Sequence, residues 1–367
     1  MTRDRARAHG VRIGTMEPGE LNAITDVAGV RVGHKTVVRG DGGDPHAVRT
    51  GVTAVFPHEG HPWSERVYVG THVLNGYGEM IGINQLNEWG LLHSPIVLTS
   101  SLLIGQAYHA TAKWMAKNAA RGEDVGDMPV VTECDDSQLN DVLSFPLEEQ
   151  DVWDALDSAG PGEVEEGCVG AGTGMQCFDF KGGIGSASRV LPEDRGGYTV
   201  GALVLTNHGE RRELRIDGVP VGREIDDLMP LEHQEGSCIC VIATDAPMLP
   251  HQVRRLAVRA GMGLAAGGST ANNGSGELMI AFSTAQRLPT TTSDYTIDVR
   301  ALLDGTSYGS PSRFNPLFAA TIEAVEEAVA NALFKAETTV GRSGNTLYEL
   351  PIDRTLDILE RHGRLSS

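Results

Sequence analysis

Residues 272–284 read Asn272-Asn273-Gly274-Ser275-Gly276-Glu277-Leu278-Met279-Ile280-Ala281-Phe282-Ser283-Thr284. Asn-Gly is a strong local turn signal, and the apolar run behind it has the length of a buried strand. A turn entering a strand needs no chemistry, and that is one reading of the stretch. The other is that the chain is cut between Gly274 and Ser275. Ser275 would then be a new N-terminus carried on a rigid strand.

The second reading explains the residue types. A serine hydroxyl is a weak nucleophile until an adjacent base activates it. An α-amine titrates near pH ~7.7–8.0, so a freed Ser275 amine could serve as that base without a histidine. Gly274 lacks Cβ and allows backbone geometry closed to other residues, which an N-to-O acyl shift requires. Gly276 leaves space for a substrate carbonyl against the backbone.

Working outward, the 367 residues are enough for a sizeable core in one large unit or two interlocked ones. Lys+Arg 30 against Asp+Glu 49 gives a net charge of −19, which argues against nucleic acid or an anionic membrane as partner. Glycine supplies 45 residues without a collagen period, so tight corners are numerous. Residues 1–10 are charged and lack an apolar signal core, and no stretch is long enough to span a bilayer. A soluble, cytoplasmic protein is expected. The five cysteines, Cys134, Cys168, Cys177, Cys238 and Cys240, form no C-x-x-C pair and read as buried free thiols.

Strands are expected at 30–32, 52–56, 95–99, 128–132, 200–205, 238–243 and 295–299. A helix over 102–120 buries Leu103, Ala107, Ala110 and Trp114, and another covers 249–264 behind Pro250. The acidic excursion 146–167 reads as a solvated face with a short surface helix at 151–156. Asp217-Gly218 marks a hairpin, and 267–273 a polar connector open to cutting. The clearest helix starts with Asn315 as N-cap and Pro316 at N1. It buries Phe318, Ile322, Val325, Val329 and Leu333 and leaves Glu323, Glu326 and Glu327 outside. A last helix covers 352–361. Strands alternating with helices give α/β or α+β, with helices covering layers of sheet.

Gly170, Gly172 and Gly174 miss the G-x-G-x-x-G spacing, and Lys181 has no G-K-[ST] context, so close backbone packing is preferred over a phosphate loop. His58-Glu59-Gly60-His61 is one residue short of H-E-x-x-H and is flanked by prolines, which argues against a metal site. Gly305-Thr306-Ser307-Tyr308-Gly309 matches G-x-S-x-G, but Pro311 and Pro316 interrupt the helix that motif needs. Glu133, Asp135, Asp136 and Asp141 could attract a hard cation or simply occupy a loop after a strand. No cofactor is expected.

The stretch around Ser275 resembles the nucleophile segment of the DmpA-type aminopeptidases, self-processing serine peptidases that include the β-peptidyl aminopeptidases. The resemblance continues in order through 21–27 with Val32-Gly33-His34, 75–79, 170–175, 181–185, 243–247 and 315–318. It implies an α+β fold, a four-layer αββα sandwich resembling the N-terminal-nucleophile hydrolases with different connectivity. It also implies one self-processing unit over 1–367, giving chains 1–274 and 275–367, and a homo-oligomer, a tetramer of processed heterodimers. Substrates would be small peptides, amino-acid amides or esters. Asn207 matches the family's oxyanion-hole asparagine. Gln138 stands where the family has an active-site tyrosine and lacks a phenolic proton. The family's Ser-x-Glu appears as Ser310-Pro311-Ser312, so Ser310 matches and Ser312 replaces a carboxylate that positions the nucleophile. These departures leave open acyl transfer to an amine, or a non-catalytic binding protein on the same fold.

Overall fold

The computed structural model describes residues 3–120, 123, 126–233, 236–303 and 312–365. In chain order the first strands are β1 (Arg31–Arg39), β2 (Val48–Phe56), β3 (Glu65–Gly76) and β4 (Met80–Ile81). Helix α1 (Ile83–Trp89), β5 (Leu91–Leu92), β6 (Ile96–Ser100), α2 (Ile104–Asn118), β7 (Val130–Cys134) and α3 (Glu149–Asp157) follow. The small hairpin of β8 (Gln176–Cys177) and β9 (Phe180–Lys181) precedes β10 (Ile184–Val190), β11 (Thr199–Thr206) and β12 (Cys238–Thr244). Then come α4 (Pro250–Ala266), β13 (Gly276–Pro289), α5 (Asn315–Lys335) and α6 (Ile352–Arg361).

Two sheets form, in the orders β1-β2-β6-β7-β4 and β10-β11-β12-β13-β3-β5. Their facing sides share one apolar layer, to which β13 contributes Leu278, Ile280 and Phe282 and β12 contributes Ile239, Val241 and Ala243. The alternate residues Met279 and Ala281, with Cys238, Cys240 and Ile242, face α4 and α5. This is the period-two alternation of a strand with both faces covered. Helices α2 and α3 cover the outside of the first sheet with Ala107, Ala110, Trp114, Val152 and Leu156. The result is the expected helix–sheet–sheet–helix order. The parallel pairs β6–β7 and β12–β13 are joined through α2 and α4, as parallel neighbours need a crossover.

Strand β13 lies inside its sheet, parallel to β12 and antiparallel to β3. Helix α4 packs closely on α5 because a Cβ on Gly263 would meet Val325 Cβ at 2.7 Å and Ile322 O at 2.8 Å. Around Asp217 (φ 48) and Gly218 (φ 76) the chain reverses, and Ile216 and Val219 exchange both backbone hydrogen bonds.

Five local expectations change. The 151–156 helix is longer, Glu149–Asp157, and its apolar side is buried, so it is a layer of the fold. Residues 295–299 form no strand: β13 ends at Pro289 opposite Glu65, and Tyr295 is fully exposed with no strand beside it. Helix α5 is capped by Phe314, which puts Asn315 inside the helix. Glu327 is wholly buried, where Arg189 (2.6 Å) and Arg7 (2.7 Å) neutralise it. A carboxylate placed on the polar side by sequence is admitted to the core because two guanidinium groups compensate its charge. Cys168 is also only half-buried, while the other four cysteines are buried.

Candidate active site

Asn272 O accepts a hydrogen bond from the Ser275 backbone N–H at 2.9 Å, closing a four-residue turn with Asn273-Gly274 at its centre. Asn75 of β3 holds that turn by donating Nδ2 to Asn272 O (2.7 Å). The non-glycine residue of the connector with left-handed geometry is Ala271 (φ 50). Both features of the sequence reading are therefore present: a turn, and a serine at the entrance of a central strand.

Ser275 is 2% exposed, and its hydroxyl donates to Glu277 Oε1. Residues two apart on a strand share a face, so the pairing follows from local geometry. Burial raises the Glu277 carboxyl above its ordinary value, opposed by the hydrogen bond from Ser275. The Gly276 N–H donates to Ser237 Oγ at 3.2 Å. At Gly276 a Cβ would fall 2.5 Å from Tyr77 O and 2.9 Å from Gly78 N. The space expected there for a substrate is occupied by the β3 exit loop, so this glycine admits protein backbone.

A cavity of about 550 Å³ opens at this strand end, walled by Gly274, Ser237, Gly236, Tyr77, Glu79, Glu133, Asp135 and others. Its charged side chains, Glu79, Glu133 and Asp135, are all acidic. Glu133 accepts from the Glu79 N–H (2.8 Å) and from the Ser101 hydroxyl, and burial raises its carboxyl above the usual range. A larger cavity, about 930 Å³, lies across the connector beside Thr270 and Arg211, but none of its lining residues bonds to Ser275.

Asn207 lies at the end of β11, 2% exposed. Its Oδ1 accepts from the Gln176 N–H (3.0 Å) and its Nδ2 donates to Asp135 O (2.9 Å). The Gly236 backbone, part of the cavity wall, abuts that amide. Asn207 is thus fixed behind the cavity wall, with one of its two amide hydrogens committed to Asp135. Gln138 donates its Nε2 to Glu232 O at 2.9 Å. Ser312 accepts from the Phe314 N–H (3.3 Å) at the start of α5. Phe314 packs under Arg255 in the first half of α4. The neighbouring Arg254 covers Gly70, whose register partner is Ala281. Ala281 is six residues along β13 from Ser275, about 20 Å at strand rise. Ser312 makes no hydrogen bond to Ser275 among the described residues. Ser310 and the 305–309 motif lie outside the described residues.

The remaining motifs have local partners. His58 Nε2 meets Glu65 O at 2.7 Å, Asp136 bonds to Ser100 and Asn140, and Asp141 bonds to His46. Among the described residues no group of three or more His, Cys, Asp or Glu side chains could hold a metal ion. Lys181 Nζ is buried on three backbone carbonyls, Gly172, Met175 and Gly182, which is close packing of the glycine segment. No described helix is long and apolar enough to cross a membrane.

Sequence reasoning passed over Glu277, Ser237 and the placement of Glu133. Glu277 had a visible signal, a charged residue two positions from the serine in a run read as buried. Ser237 had none, because only strand pairing puts it beside Gly276.

Comparison with known proteins agrees with this geometry. Residues 22–347 match the model of peptidase family S58. A β-peptidyl aminopeptidase, BapA of Sphingosinicella microcystinivorans, is 39% identical over 99% of this chain and 93% of its own length. A solved β-aminopeptidase from Burkholderia sp. superposes with TM-score 0.91 at 42% identity, covering 98% of this chain and 99% of its own. The L-aminopeptidase D-Ala-esterase/amidase of Ochrobactrum anthropi, described as a prototype serine aminopeptidase and a variant of the Ntn hydrolase fold, gives 0.90 at 40%, covering 99% of each chain. A buried serine opening a central strand of an αββα sandwich therefore marks a hydrolase of the N-terminal-nucleophile kind. The chain belongs to peptidase family S58 and is a serine aminopeptidase.

Proposed function

We propose that the chain cuts itself between Gly274 and Ser275 and then releases N-terminal residues from small peptides, amides or esters through Ser275. The observation that carries this reading is the buried Ser275 hydroxyl, hydrogen-bonded to a carboxylate at the start of β13 beside an acidic cavity. Once cut, the Ser275 amine takes the hydroxyl proton as Oγ attacks the substrate carbonyl, and the same amine protonates the leaving group. An acyl-enzyme results, which water hydrolyses. Asn207 Nδ2 and nearby backbone N–H groups are the proposed oxyanion donors. Glu133 with Glu79 and Asp135 would attract the substrate ammonium, which supports an exopeptidase over an endopeptidase.

The chains 1–274 and 275–367 would stay together, because β13 is paired on both sides by strands of the longer chain and α5 covers their outer face. A homo-oligomer of processed units accords with the exposed apolar side chains Tyr295, Ile297 and Leu303. The net charge of −19 supports a protein with no nucleic-acid partner.

Intact-mass spectra of wild type and Ser275→Ala test the reading. Fragments 1–274 and 275–367 in wild type alone are expected. One uncut chain from both would refute self-processing.

A further inference from the structure

In the uncut chain the Ser275 nitrogen is an amide, bonded to Gly274 and donating its hydrogen to Asn272 O. It has no lone pair available as a base, so the group that activates Ser275 for turnover is absent when the first cut is made. Something else must take the hydroxyl proton. Ser312 offers no carboxylate. The group hydrogen-bonded to Ser275 Oγ is Glu277 Oε1.

We propose that Glu277 is the general base of self-cleavage, distinct from the α-amine that serves turnover. The inference rests on the self-cleavage reading above. Glu277 Oε1 takes the Oγ proton as Oγ attacks the carbonyl carbon of Gly274. The proton passes to the Ser275 nitrogen as the C–N bond breaks. This leaves the Gly274 acyl group as an ester on Oγ and frees the α-amine. One water then hydrolyses the ester, giving the Gly274 carboxylate and restoring the hydroxyl.

Two further features favour a working carboxyl over a packing one. Glu277 is wholly buried, and its Oε2 makes no close hydrogen bond, although the Asn75 side chain lies beside the carboxyl as a second donor. A buried acceptor without a close partner costs stability, so the carboxyl is kept there against that cost. Burial also raises its basicity, since desolvation favours the protonated form it must reach. The groups beside it are its register partner Asn75 on β3 and Cys134 across on β7.

The test uses full-length chains freshly made by cell-free translation, with fragment 275–367 followed over time by mass spectrometry. A positioned general base contributes about 10²–10⁴ in rate, so Glu277→Gln should slow self-cleavage at least about 100-fold. Its melting temperature, compared with that of Ser275→Ala, shows whether the uncut fold is kept. In wild type the cleavage rate should rise with pH through one carboxyl ionisation, and in Glu277→Gln that rise should vanish. Cleavage of Glu277→Gln at the wild-type rate, or a pH profile unchanged by the substitution, overturns the proposal while leaving self-processing intact. No cleavage in wild type overturns the proposal and the self-processing reading together.

Discussion

Adding one methyl group at Gly276 should stop maturation without touching a reacting atom. The Cβ of Gly276→Ala would fall 2.5 Å from Tyr77 O, 2.7 Å from Tyr77 C and 2.9 Å from Gly78 N. All three are backbone atoms, so no side chain can swing away. Either the β3 exit loop retreats from β13 or the start of β13 tilts out of the sheet. Overpacking of this kind costs about 1–3 kcal/mol. The kinetic effect should be larger, because Gly276 separates Ser275 from Glu277 and donates to Ser237 Oγ. A displacement of about 1 Å at a reacting group can cost ~10²-fold in rate. The assay is the appearance of fragment 275–367 by intact mass, with thermal melting in parallel. Gly105→Ala on α2 is the control: its Cβ meets nothing within 4 Å, so neither readout should fall. Gly276→Ala maturing at the wild-type rate with an unchanged melting temperature would refute the claim that this contact sets the nucleophile.

Asn207→Ala removes the donor to Asp135 O and the acceptor for the Gln176 N–H, so the melting temperature should drop, at about 1–3 kcal/mol for each orphaned buried group. If Asn207 also serves the oxyanion, kcat on an amino-acid amide should fall about 10²–10³-fold in Asn207→Asp, which keeps the acceptor and loses the donor; a full kcat would refute that role. Glu326 gives a pH prediction. Burial, with Asp217 nearby, raises its carboxyl from 4.5 to about 7, with Glu323, Glu327 and Arg189 also facing it. The unfolded chain therefore loses this proton first, and stability falls as pH rises from about 4.5 to about 7, each pH unit being worth up to about 1.4 kcal/mol. Glu326→Gln should raise the melting temperature at pH 8 and leave it unchanged at pH 4. Equal effects at both values would refute the assignment.

The local elements were legible where one segment carries its own signal. Ala107, Ala110 and Trp114 of α2, with Leu103 just before it, are buried as their spacing predicts. The run 278–282 is a strand because alternate apolar residues suit two covered faces, and that holds whatever lies above and below it. The turn at Asn273-Gly274 and the adjacent Ser275 were equally plain, since turn chemistry is local. The segment 295–299 failed for the complementary reason: a strand needs a neighbour, and an alternating pattern cannot show that none is there.

What the sequence by itself determined was the strand, the turn, the serine between two glycines and the family resemblance that ordered them. Only the tertiary structure decided what surrounds Ser275. The carboxyl of Glu277 was one strand period away, but its hydrogen bond to Oγ depends on both being sealed between β12 and β3. Ser237, Glu133 and Tyr77 reach the same cavity from three distant parts of the chain. The same packing holds Gln138 on Glu232 and Ser312 on the Phe314 N–H. Strand pairing and helix crossover are long-range choices, made by the burial of whole faces, and no local pattern encodes which side chains they bring within hydrogen-bond reach.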